Sequence, residues 1–117
     1  MRSDPLLPVD ADTIRKTYDS VLWAPYLPTG EALDTLIGQL QGHVQLLVPE
    51  VQALAARMEG ETRDTAVHVL VRTSKVLAEG VSPADDAYAL AVLARALLTL
   101  HQHPGPLGEP ADGELRA

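Results

Sequence analysis

Apolar residues recur along the middle of the chain in alternating steps of four and three: Leu33, Ile37, Leu40, Val44, Leu47, Val51, Leu54 and Met58. Residues three and four apart share one face of a helix, so this unbroken series is a heptad seam and predicts one long amphipathic helix. Thr29 is placed to cap its start. Pro49 falls off the seam. It has no N–H to give to the carbonyl of Gln45, so either the helix kinks there or a new helix begins at Pro49. Gly60 closes the segment.

Shorter patterns flank the seam. A first helix carries Ile14, Tyr18 and Val21 on one face behind a cap at Asp10 or Asp12. Asp12 with Lys16, and Arg15 with Asp19, are spaced to pair on its outer side. Pro25 and Pro28 end it, because each restricts the residue before it. Segment 23–28 holds the single Trp, Trp23, together with Tyr26, and is expected to be a loop pressed onto the bundle. A third helix, 61–79, has the polar stripe Asp64, His68, Arg72, Lys75 and Glu79. Ala66, Val67, Val69, Leu70, Val76 and Leu77 lie opposite. Its valines lower helix propensity, so it depends on packing. Gly80 supplies a stop. Ser82 at N-cap, Pro83 at N1 and Asp85 at N3 then start a fourth helix that runs to about His101. Leu90, Leu93, Ala94, Leu97 and Leu98 centre an apolar arc on it, and Tyr88, Arg95, Thr99 and Gln102 leave only a narrow polar strip.

These elements predict an all-α protein, an antiparallel four-helix bundle with a short first helix. Residues 1–9 read as an extended lead-in, 10–102 as the bundle domain and 103–117 as a mobile acidic tail rich in Pro and Gly. A length of 117 residues fits one domain. With 3% aromatic residues and no Phe, the core has to be built from Leu, Val and Ala. A helix as apolar as the fourth needs cover on most sides. In a small bundle each helix is expected to touch two neighbours and turn a third side to water. A homodimer, or another protein partner, is therefore expected to cover it; the competing reading is that the third helix and the lead-in cover it within one chain.

Charge narrows the partners. The formal net charge of −7 repels nucleic acid and anionic membrane surfaces, so a DNA-binding regulator fails on this ground. No apolar run reaches membrane length: the longest candidate, 87–100, is interrupted by Arg95. No signal peptide is expected, since Asp4 and two prolines stand where its apolar stretch should be. The absence of cysteine rules out disulfides and thiolate chemistry and suits a cytoplasmic location.

Candidate chemistry lies on the second helix. His43, Glu50 and Arg57 recur every seven residues along the flank of the seam. An imidazole near a carboxylate is an acid–base pair in waiting, since imidazole titrates nearest neutral pH. His43 and Glu50 are thus the catalytic candidates, and all three are candidates for ligand binding. The plainer alternative makes them half-solvated boundary residues, with Arg57 packing through its stem. No metal site is expected. His43, His68, His101 and His103 do not have ligand spacing, and His101 suits the carboxyl end of its helix. No phosphate-binding or nucleophile motif is present, and no cofactor is indicated. Gly38 and Gly42 suggest either close helix packing or a weak stretch of helix.

One block carries a resemblance. Leu27-Pro28, then Gln41-Gly42-His43-Val44-Gln45-Leu46-Leu47-Val48-Pro49-Glu50-Val51, then Leu54-Ala55-Ala56-Arg57, resembles the signature of a small actinobacterial family. That family is described only as natural product biosynthesis proteins with a domain of unknown function. The likeness extends from about Ile14 to about His101, with Gln41 standing where the family usually has Arg. The family label rests on gene neighbourhood and implies no reaction or catalytic residue. With no motif, no cluster and an acidic surface, that context gives the expectation of a non-catalytic accessory or interaction protein of specialised metabolism. The alternative is a small helical enzyme or small-molecule binder with its site near His43 and Glu50. A cavity lined by both side chains would favour the second.

Overall fold

The described residues form four helices: α1 (Ala11–Leu22), α2 (Gly30–Ala55), α3 (Gly60–Glu79) and α4 (Pro83–Gln102). The computed structural model describes residues 9–79 and 83–108. The expected stop at Gly80, the cap at Ser82, most of the lead-in and the tail from 109 onward lie outside the described residues.

Cross-helix contacts set the directions. The Arg15 side chain near the start of α1 reaches Gln102 at the end of α4, so these two helices are antiparallel. His101 lies against Glu50, so α2 and α4 run the same way. The short connections make α2 antiparallel to α1 and α3. The fold is an all-α antiparallel four-helix bundle. Its largest internal contact is the diagonal one between α2 and α4, while α1 and α3 lie on opposite sides of that pair.

This diagonal contact explains the composition of α4. The helix packs against all three others, and Leu90, Leu93, Ala94, Leu97 and Leu98 are each at most 2% exposed. The expectation that a third side of this helix faces water is therefore corrected. The arc is covered within one chain, and its apolar breadth alone does not call for a second copy.

The seam on α2 is also corrected in its period. The residues buried are Leu36, Leu40, Val44, Leu47, Val51, Ala55 and, just beyond the helix, Met58. Their steps are four, four, three, so the stripe returns every eleven residues (Leu36, Leu47, Met58). Eleven residues in three turns is close to the 3.6 per turn of a straight helix, whereas a heptad drifts by about 20° per repeat. Leu33, Ile37 and Leu54 are consequently rotated to half-buried positions. The helix runs on through Pro49, which is exposed, so no new helix starts there. It ends at Ala55, three residues before the expected Met58. Gly60, with φ of +61°, opens α3 in a left-handed conformation that suits glycine.

Other local expectations change in instructive ways. Asp10 is the cap of α1: its carboxylate accepts from the Thr13 amide at 3.1 Å and from the Thr13 hydroxyl at 2.7 Å. Thr29 precedes α2 without a side-chain capping bond. Arg15 reaches back to Asp12 at 3.2 Å, and Asp19 accepts from the Trp23 indole at 3.0 Å. That indole bond holds Trp23 along the outside of α1. Trp23 is 72% exposed and Tyr26 87%, so the connection does not press its aromatics onto the bundle. Leu22 and Leu27 make the apolar contacts instead. On α3, Val67 is exposed and Thr73 takes a core position. The Thr73 hydroxyl donates to the Val69 carbonyl at 2.7 Å, which satisfies it away from water. Gly38 and Gly42 face open space, so they mark weak helix rather than close packing.

Candidate functional site

Seven residues along a helix correspond to a rise of about 10 Å. His43 and Glu50 therefore share a stripe on α2, and Arg57 continues their spacing past its end, yet the three reach different neighbours. Each closes a separate seam of the bundle.

His43 faces α1. Its Nε2 lies 3.1 Å from the Thr17 hydroxyl, and the same hydroxyl lies 2.9 Å from the Thr13 carbonyl. A hydroxyl has one hydrogen. Donated to the Thr13 carbonyl, it leaves the oxygen to accept from an Nε2–H, which selects that tautomer of the neutral ring. Partial burial pushes the imidazole below its usual pKa of 6.5, and the Asp10 carboxylate opposes this more weakly. Asp10 itself is held below the usual carboxylate value, chiefly by the Thr13 hydroxyl and then by the Thr13 amide.

Glu50 faces α4. Its Oε1 lies 3.7 Å from His101 Nε2, with both side chains partly exposed. The imidazole beside Glu50 is thus that of His101. Sequence spacing along α2 could not reveal this partner, because the contact depends on which helix lies alongside. Arg57 lies beyond the end of α2 and turns to the segment after α4. Its Nε donates to the Gly108 carbonyl at 3.2 Å, while the Gly108 amide donates to the Arg57 carbonyl at 2.8 Å. Leu107 packs against the core beside this pair. Residues 103–108, read from sequence as the start of a tail, thus fold back over the turn between α2 and α3.

The geometry therefore does not assemble His43, Glu50 and Arg57 into one site. An open groove of about 390 Å³ between α3 and α4 is lined by neither His43 nor Glu50. Among the described residues no three His, Asp or Glu side chains gather in a way that could hold a metal ion. Also among the described residues, no helix is long and apolar enough to cross a membrane.

The sequence of residues 12–106, nearly the whole bundle and the segment that straps it, matches a family of unknown function, DUF6415. The chain belongs to the DUF6415 family. The matched region begins inside the first turn of α1 and ends within the segment that folds back after α4, so the described fold is that of this DUF6415 region. No curated protein and no solved structure shows a match to the chain.

Proposed function

We propose that this DUF6415 protein is a non-catalytic accessory protein of natural-product biosynthesis that works by docking another protein. The observation that carries the reading is the exposure of Trp23 and Tyr26 on the connection between α1 and α2. Large aromatics are the side chains most enriched among the residues that dominate protein–protein binding. The Trp23 indole is anchored by Asp19, so ordering it on binding costs little further entropy.

One point supports the non-catalytic part. His43, Glu50 and Arg57 are engaged with Thr17, His101 and Gly108 across three different seams. The pathway assignment draws on the resemblance of the Gln41–Arg57 block to biosynthesis-associated proteins. The partner is another protein of the pathway or a second copy of this chain.

The test is affinity capture from a producing host, with Trp23→Ala/Tyr26→Ala in parallel. A protein captured by the wild type and lost with the double variant, then bound again when purified, supports the reading. Capture that is indifferent to both aromatics counts against it. Light scattering decides whether the partner is a second copy. A mass that stays near 12.5 kDa on concentration excludes the homodimer.

A further inference from the structure

The groove between α3 and α4 lies toward the end of the bundle remote from Trp23 and Tyr26. Val69 lines it from α3, and Val92, Ala96 and Leu100 line it from α4. Val92 is 53% exposed, so its side chain stands open at the groove rather than in the core. Three polar groups complete the lining: Arg95, Thr65 and Thr99. The volume of about 390 Å³ falls in the range of small-molecule sites, which are mostly apolar with a few polar groups that fix orientation.

Arg95 gives the site its sign. Among the described residues, no carboxylate lines the groove. Among the described residues the Arg95 guanidinium forms no ion pair. The Thr99 hydroxyl donates its hydrogen to the Arg95 backbone carbonyl at 2.8 Å, so it is already satisfied along α4 and leaves Arg95 as the charged group of the lining. A guanidinium beside a greasy trough matches a molecule with an apolar body and an anionic head, and its planar fork matches a carboxylate in particular. One guanidinium balances one negative charge. A dianionic head would leave charge uncompensated on a protein whose formal net charge is already −7.

We propose that this groove binds a small amphipathic carboxylate. The apolar chain lies against Val69, Val92, Ala96 and Leu100, and the carboxylate sits on Arg95. The site is independent of the protein-docking reading, because it uses none of the residues at the α1–α2 connection. A chain that binds the acid but no protein, or a protein but no acid, separates the two.

The probe is decanoate below its micellar concentration, added to the full-length chain and followed by amide NMR shifts. Decanol and decyltrimethylammonium serve as controls for charge. Saturable shifts centred on Val69, Val92, Ala96 and Leu100 are expected. Arg95→Gln should weaken decanoate about ten-fold or more, the loss of one charge-assisted interaction, and leave decanol unchanged. Val92→Asp should abolish binding of both. Arg95 and Val92 are exposed, so both variants should fold, and their unperturbed spectra will show it. Shifts centred elsewhere, equal affinity for all three probes, or an Arg95→Gln variant that binds decanoate like the wild type would each overturn the proposal.

Discussion

His43 and Thr17 form the polar link between α1 and α2, with Nε2 3.1 Å from the hydroxyl oxygen. Burial holds the imidazole below its usual pKa of 6.5, so the folded chain binds fewer protons at this site than the unfolded chain. Such a group contributes stability that is complete above the unfolded value. The contribution is lost as the pH falls through the lower folded value. His43→Ala should cost roughly 1 kcal/mol near neutral pH, the size of one hydrogen bond. The gap between variant and wild type should shrink on acidification toward about pH 5, below the usual histidine range. Urea midpoints at the two pH values measure it, and a gap that widens in acid would show that the charged ring is the form stabilised by the fold.

The middle of α2 is weaker than its packing requires. Gly38 and Gly42 are exposed, and a methyl group added at either would meet open space. Gly38→Ala and Gly42→Ala should each stabilise by up to about 1 kcal/mol, through helix propensity alone. A loss of stability in either would mean that the bare backbone serves a contact with something outside the chain.

Pro49 is exposed within a continuous helix. Replacing it by Ala returns an N–H to the Gln45 carbonyl and should stabilise by an amount on the order of 1–3 kcal/mol. Denaturant titration of the single variant decides. No gain would mean that the helix had already adapted to the missing bond.

Leu97 and Val92 are five residues apart on α4 and differ entirely in environment. Leu97 is fully buried and Val92 half exposed. Leu97→Ala should destabilise by about 2–5 kcal/mol, while Val92→Ala should stay within about 0.5 kcal/mol. Comparable losses at the two positions would show that the α3–α4 surface is covered in solution.

Arg57 and Gly108 join the end of α2 to the segment after α4 through two hydrogen bonds. The Gly108 amide should be protected in hydrogen exchange, and Arg57→Ala should reduce that protection while costing about 1 kcal/mol. An amide that exchanges as fast as in a free peptide would mean that this strap is open most of the time.

Much of the fold was legible because it rests on local rules. The apolar spacing, the acid at Asp10 and Pro83 at the start of α4 mark helix faces and starts without reference to any partner. The central positions Leu40, Val44, Leu47 and Val51 were readable as core because heptad and eleven-residue patterns coincide over about three turns. They diverge at the ends, and there Leu36 and Ala55 replace Ile37 and Leu54. Which residues a helix of seven turns buries near its ends is settled by what it packs on.

Local pattern was enough to mark apolar-striped helices and to set the candidate imidazole, carboxylate and guanidinium seven residues apart, the last of them just past the end of α2. What those groups meet follows from packing alone. Which helix lies beside which depends on the close diagonal of α2 and α4. That diagonal covers α4 without a second copy and hands Glu50 to His101 rather than to His43. The exposure of Trp23 has the same origin: a large aromatic is buried only if a concave surface is offered to it. Here Leu22 and Leu27 fill the space at the α1–α2 connection, and the indole is left on Asp19 at the surface.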